Sequence, residues 1–425
     1  MSELQIPTGW IRTNLAALGE YVNGFAFNER YWSKAGLPIV RIAQITGTQD
    51  VVDRFAGRLP SSYRLESGDL IFSWSGTLAV VRWQGGAAWL NQHLFKVIPA
   101  RAVERLYLFH ILQKSVAEMD KRAHGSTMKH IKRGELSEFA VVIPEGLAEQ
   151  AALARILDTL DTTIRQTEAI IEKLKLVKQG LLHDLLTRGI DANGELRPPQ
   201  NQAPHLYKHS PLGWIPVEWS AGPLSDSLDG RPKNGYSPQA AGRWTGSQML
   251  GLGCLTPDGF RARQLKDAPV DDVLLRSALL SNGDLLISRA NTRDLVGLVG
   301  IYRDVGTPCY YPDLMMRLSP SAKTSAAFLE VVLGSPSVRR QIQASASGTS
   351  SSMVKISSLT VMNLSVAIPD AQEQNRILDT LAAATAHING ETQFIETQRK
   401  IKLGLSDDLL TGRVRVTELL ETLGA

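Results

Sequence analysis

The sequence predicts a mixed α/β (or α+β) fold built twice, with each globular half followed by a long helix and the whole arranged as a pseudo-twofold repeat. Three observations predict it. The hexamer RILDTL occurs at 155–160 and again at 376–381. Each copy runs on to DLLT, at 184–187 and 408–411. Apolar residues recur at four-three spacing through both stretches, the period of a helix with one inward stripe.

The true register of the repeat comes from anchors outside the hexamer. Glu149-Gln150 matches Glu373-Gln374, and the two DLLT segments match at the same offset. The hexamers are displaced from that register by about one helical turn, which keeps the same side facing the same way. The first stripe is Leu153, Leu157, Leu160, Ile164, Thr167, Ile171, Leu174, Lys178, Leu181 and Leu185. The second is Ile377, Leu381, Ala384, Ile388, Glu391, Ile395, Gln398, Lys402, Leu405 and Leu409. Both are apolar at the ends and polar in the middle. Pro144 and Pro369 precede the stripes, and Gly189 and Gly412 follow as helix stops. An intramolecular antiparallel coiled coil suits one chain carrying two such helices.

The repeat extends into the globular parts. GWI opens each half at 9–11 and 213–215, which places Trp10 and Trp214 as shared packing residues. GDLIFS (68–73) parallels GDLLIS (283–288), and MKHIKRGELSEFAVVIP (128–144) parallels MVKISSLTVMNLSVAIP (353–369). Short β-like runs such as LPIVRIAQI and LFKVIP alternate with helix-like RLYLFHILQKSVAEM. The expected organisation is a first globular domain at 1–146, its helix at 147–189, and a Pro-, Asn- and His-rich linker at 190–212. A second domain at 213–370, its helix at 371–412 and a tail at 413–425 complete it.

Composition bounds the function. A chain of 425 residues can bury at least two cores, and 43% apolar content is too high for a disordered chain. No apolar run reaches membrane-spanning length, and the first twenty residues lack the basic start and apolar core of a signal peptide. Cys254 and Cys309 form no C-x-x-C pair; one disulfide is open to them, and two reduced structural thiols of a cytoplasmic protein is the preferred reading. A net charge of +4 permits a nucleic-acid partner without requiring one.

Catalytic signatures are missing. There is no Asp/Glu-x-Lys tripeptide of a restriction nuclease, no Asn/Asp-Pro-Pro-Tyr of an amino-methyltransferase, no phosphate loop, no H-E-x-x-H and no G-x-S-x-G. GLGCLT at 251–256 lacks a third glycine and reads as a turn. The expectation is a binding protein, with no catalytic residues, metal or cofactor of its own.

Two variable domains alternating with two near-identical helices, opened by GW and carrying IP…EQ…ILDTLD…LLHDLLTRGI, resemble the specificity subunits of type I restriction-modification systems. The resemblance covers essentially the whole chain. It implies two target-recognition domains, each reading one half of a bipartite, asymmetric site in double-stranded DNA. It implies helices that set the gap between half-sites and dock two modification subunits. Those methyltransferase partners would carry S-adenosylmethionine and methylate adenine. Separate restriction subunits would carry ATP and Mg for translocation and cleavage. The second stripe departs by its polar Glu391, Gln398 and Lys402. A rival of another class is a coiled-coil scaffold whose globular domains bind protein.

Candidate DNA contacts follow from residue type and place. The densest basic stretch, 121–133, holds Lys121, Arg122, Lys129, Lys132 and Arg133 around a turn with Ser126 and Thr127, a pattern suited to phosphates. The hydroxyl run at 347–355, with Ser351 and Lys355, is its counterpart. For base edges the turn-rich loops offer Arg231, Lys233, Asn234 and Tyr236, then Arg289, Asn291 and Arg293. Their first-half counterparts are Asn28, Arg30, Tyr31 and Lys34, then Trp74 and Ser75. Gln92 and His93 match Tyr310 and Tyr311. The basic turn argues against the protein-binding scaffold.

Overall fold

The computed structural model describes residues 6–49, 51–122, 133–239, 242–269, 272–350 and 353–416. It divides into two compact units. Unit 1 holds 1–170 together with 391–425, and unit 2 holds 171–390.

In unit 1 a four-stranded antiparallel sheet has the order 19–23, 94–99, 70–73, 79–82. Its central strand Leu70–Ser73 is buried throughout, as GDLIFS predicts. Helix α1 (Arg105–Arg122) packs against this sheet, and Tyr107, Leu108 and Leu112 share a core with Phe72 and Phe95. A second sheet orders 54–55, 37–40, 88–90, 64–65. LPIVRIAQI is therefore not one strand. It forms strand Leu37–Val40, and Ile42–Thr46 turns helical, closed by Gly47 in the left-handed conformation.

Unit 2 repeats the plan. Strand Leu285–Ser288 stands between Met315–Leu318 and Val299–Ile301, with Lys233–Asn234 at the edge. A three-stranded sheet follows in the order 266–267, 248–249, 309–310. In both units the second sheet contains one parallel pair, Ile39 with Trp89 and Met249 with Tyr310. The stretch matched to α1 is two shorter helices, α3 (Ala326–Gly334) and α4 (Pro336–Ser345), split where Ser335 precedes Pro336.

The long helices are α2 (Leu147–Thr187) and α5 (Ala371–Leu410). Every four-three position of both stripes is buried or half-buried, and most positions between them are exposed. In unit 1 the first part of α2 lies against the last part of α5, in opposite directions. Leu153 and Leu157 share a core with Leu409 and Leu410, and Asp161 pairs with Lys402. Glu168 meets Arg399 at 2.7 Å. In unit 2 Leu185 packs with Ile377 and Leu381. Gly189 and Gly412 end the helices with φ of 67° and 73°, which explains why glycine stands there.

One sequence match is corrected. Trp10 is 5% exposed, but Trp214 is 49% exposed, on the hairpin of Tyr207–Ser210 with Gly213–Pro216. The counterpart of Trp10 is Trp219, 1% exposed. Both tryptophans close a Pro-x-x-Trp turn, Trp10 N–H donating to the Pro7 carbonyl (3.0 Å) and Trp219 N–H to that of Pro216 (3.1 Å). Each then enters a strand of an antiparallel ribbon, Trp10–Asn14 with Ala140–Pro144 and Ser220–Pro223 with Ser365–Ile368.

Candidate nucleic-acid interface

Each unit is held by the same clamp at the start of its long helix. Gln150 Nε2 donates to the carbonyls of Pro144 (2.9 Å) and Ala102 (3.1 Å), and its Oε1 accepts from Glu104 N–H. Gln374 repeats this with Pro369 (3.0 Å), Lys323 (2.9 Å) and Ser325 N–H. The amide thus ties the incoming strand to the segment that leads into α1 or α3. The preceding glutamate takes an arginine. Glu149 accepts from Arg415 Nε at 2.8 Å and from the Trp10 indole at 3.3 Å. Glu373 pairs with Arg197 and accepts from Ile190 N–H. Burial works against the Arg197 charge, and the Glu373 partner more than restores it, so its pKa is raised.

A second shared device sets where the candidate loops begin. Asn23-Gly24-Phe25 and Asn234-Gly235-Tyr236 occupy equivalent places, Phe25 N–H donating to the Leu90 carbonyl (2.8 Å) and Tyr236 N–H to that of Tyr311 (3.1 Å). A Cβ on Gly24 would stand 2.2 Å from the Asn91 oxygen, and one on Gly235 2.2 Å from the Tyr311 oxygen. Only glycine lets the chain pass the neighbouring backbone so closely.

Beyond that point the units differ. In unit 1 the loop packs on itself. Phe25, Phe27, Tyr31 and Phe55 meet edge to face at 5.0–6.0 Å. Asn28 caps the short turn by accepting from Arg30 N–H, and Asn28, Arg30 and Lys34 are exposed. Trp74 lies 6.1 Å from His93, ring to ring, and Gln92 reaches His93 at 3.3 Å. Those three side chains are brought together at one edge of the sheet. Ser75 is 6% exposed.

In unit 2 the matching position to Trp74 is Arg289, whose Nη1 donates to the Asp313 carbonyl at 3.2 Å. Asp313 is also joined to Ser237 by two hydrogen bonds, so Arg289 and the Tyr236 loop converge. Tyr236 is bonded to Asp272, which raises its pKa. Strand Ala290–Asn291 pairs with Met353–Lys355, bringing exposed Lys355 beside Arg289. Arg293 is tied to the Gln343 carbonyl (2.8 Å), and Arg231, Lys233 and Asn234 are exposed at the sheet edge. Tyr310 is half-buried. Tyr311 is fully buried, donates to the Lys233 carbonyl (3.3 Å) and lies under the Arg317 guanidinium (5.4 Å). It is a packing residue of the sheet. Ser126, Thr127, Lys129, Lys132 and Ser351 lie outside the described residues.

Sequence reasoning missed several groups beside these loops. A cleft of about 400 Å³ is lined by Ser237, Gly251, Gln264, Lys266 and Leu314 among others. Gln264 has φ 54°, the one non-glycine residue with positive φ among the described residues, and its side chain accepts from Gly253 N–H. Arg261, Arg263 and Lys266 stand exposed around it. The cluster RARQLK was the available signal.

Among the described residues no group of three or more His, Cys, Asp or Glu is placed to hold a metal ion, and no helix is long and apolar enough to cross a membrane. Cys254 and Cys309 are free and buried, and burial pushes the Cys309 thiol up to about 11.

Comparisons with known proteins point one way. Residues 7–176 match the family model described as type I restriction modification DNA specificity domain. The type I restriction enzyme EcoBI specificity subunit of Escherichia coli is 23% identical over 397 residues, covering 88% of this chain and 79% of its own. The type I restriction-modification S subunit from M. genitalium shares the fold with a TM-score of 0.54 at 12% identity, over 96% of this chain and 98% of its own. A chain from work on complex assembly and conformational transition of the type I system gives a TM-score of 0.56 at 16% identity, covering 96% and 100%.

Proposed function

From a chain that carries the type I DNA specificity domain and resembles type I specificity subunits along its length, we propose a DNA sequence-specificity subunit in which each unit reads one half of a bipartite, asymmetric site. The observation that carries this is a constant frame with unlike loops. The Gln150 and Gln374 clamps, the Pro-x-x-Trp turns and the Asn-Gly-aromatic turns recur, while the loops beyond them share little. A repeated frame suits a partner with local twofold symmetry, and unlike loops suit unlike half-sites.

The two long helices, as an antiparallel coiled coil, set the unread gap and dock two modification subunits. Exposed Leu176 and Val177 in unit 2, and Phe394 and Leu403 in unit 1, are apolar helix positions open to such partners. The modification subunits bind S-adenosylmethionine and methylate adenine, and restriction subunits with ATP and Mg cleave unmodified DNA. The chain itself positions and does not catalyse, in the cytoplasm. Base contacts fall to Asn28, Arg30, Lys34, Trp74, Gln92 and His93 in unit 1. In unit 2 they fall to Arg231, Lys233, Asn234, Tyr236, Arg289, Asn291 and Arg293, with Lys355 there and Lys129 in the first half on phosphates.

Methylation sequencing of DNA from cells carrying this chain with its modification subunits tests the reading. The expected result is adenine methylation at one two-part site. A complex that assembles yet binds all duplexes alike would sink it.

A further inference from the structure

An exposed tryptophan stands at a corresponding place in each unit. Trp32 is 47% exposed and Trp244 58% exposed. Each lies eight or nine residues beyond the close-approach glycine, Gly24 or Gly235. Each is followed by a hydroxyl residue held near the same edge strand. Ser33 N–H and Oγ both donate to the Arg54 carbonyl, at 2.9 and 3.2 Å, in strand Arg54–Phe55. Thr245 Oγ1 donates to the Ala268 carbonyl, directly after strand Lys266–Asp267. A basic residue precedes each ring, Arg30 in one loop and Arg243 in the other. The Arg41 guanidinium also lies 5.7 Å from the Trp32 ring centre.

One exposed indole is ordinary on a protein surface. Two, at one place in a duplicated frame, on loops that otherwise share little, need a common cause. Core packing does not supply it, because neither ring belongs to an apolar cluster among the described residues. A third exposed tryptophan, Trp214 of unit 2, stands elsewhere, in the hairpin of Tyr207–Ser210 with Gly213–Pro216, its ring edge-on to His209 at 5.5 Å.

We propose that Trp32 and Trp244 are paired DNA-contact residues of the two readers, each indole seated in a groove of its half-site against sugar and thymine-methyl faces. The inference rests on reading the two units as DNA readers. An indole offers one donor and a broad apolar face, so it cannot distinguish the base pairs by hydrogen bonds alone. Its role is to exclude water and fix the depth of the loop, while polar neighbours read edges. Arg30 and Arg243 then lie on the adjacent phosphates, while Arg41, paired with Asp53, supports the Trp32 ring from its own unit.

The test uses this chain assembled with its modification subunits and a duplex carrying the site found by methylation sequencing. Trp32→Ala and Trp244→Ala should each weaken binding to that duplex about tenfold or more, the scale of one large apolar side chain buried against the duplex. Trp32→Phe and Trp244→Phe should keep most of the affinity. Circular dichroism and assembly should be unchanged, since both rings are exposed. As a second readout, fluorine resonances of 5-fluorotryptophan at 32 and 244 should shift on adding the specific duplex. If both alanine variants bind within twofold of the parent and both resonances stay put, the inference is wrong and the readers stand. If the parent complex shows no site preference, the reading of the units fails and takes this with it.

Discussion

Arg197 and Glu373 face each other fork to fork in the interior of unit 2, Nη2 to Oε2 at 3.0 Å, with side chains 9% and 2% exposed. Arg415 and Glu149 form the same pair in unit 1, with the arginine 30% exposed. Each joins the segment after one long helix to the first turn of the other. A buried charge that loses its partner is far costlier than the pair itself is stabilising.

Arg197→Ala should therefore destabilise unit 2 by about 3–5 kcal/mol. Arg415→Ala should cost unit 1 less, because water reaches that arginine. Hydrogen exchange read unit by unit checks both the size and the location. Equal losses for the two variants would break the argument from burial.

His110 carries the pH prediction. It is 2% exposed on α1, with Asp161, Lys402, Asp158 and Arg82 around it, and burial holds its pKa down at about 4. The unfolded chain takes up that proton near 6.5, so unfolding is favoured as pH falls from about 6.5 to 4. The stability lost from this one group is on the order of 3 kcal/mol. His110→Gln should flatten that part of the pH profile of unit 1. An unchanged slope would place the acid sensitivity elsewhere.

Gly24→Ala and Gly235→Ala test the loop anchor. The new methyl would meet backbone oxygens, which cannot swing aside as a side chain can. The expected cost is about 1–3 kcal/mol in the unit concerned. Binding of the assembled complex should fall only for the half-site read by that unit, measured on duplexes altered in one half at a time.

The gap between half-sites should follow helix length. Inserting four residues near Thr167 in α2 and near Arg399 in α5 adds about 6 Å to each. That is close to two base-pair rises. Methylation sequencing should recover the same two half-sites with a longer spacer. Altered bases within a half-site at an unchanged gap would separate the helices from the ruler role.

The helices were legible because burial follows period, and the four-three stripe names which side faces inward. The clamp was half legible. Glu149-Gln150 and Glu373-Gln374 were visible as a matched pair, but their arginine partners lie in Gly-flanked segments that share almost no sequence. The GWI match misled, since identical letters at 9–11 and 213–215 outweighed the Pro-x-x-Trp turn that the backbone uses. Tyr311 misled for a related reason. A tyrosine next to a turn looks available, and its burial is decided by strands distant in sequence. Asn-Gly-aromatic at 23–25 and 234–236 was an available repeat that would have led to Trp32 and Trp244.

Unit 1 borrows 391–416 to finish itself. Leu409, Leu410 and Val416 lie in the same core as Trp10 and Leu153, and Arg415 closes onto Glu149. Unit 2 is contained within 171–390. On the ribosome, then, the order of completion reverses the order of synthesis. The half made second can close as soon as Gly390 has emerged. The half made first must wait roughly 250 residues for its missing strip, on the order of 10–50 s at ~5–20 residues per second. For that interval the apolar side of its helix lies open to water, and a nascent-chain chaperone has its clearest work there.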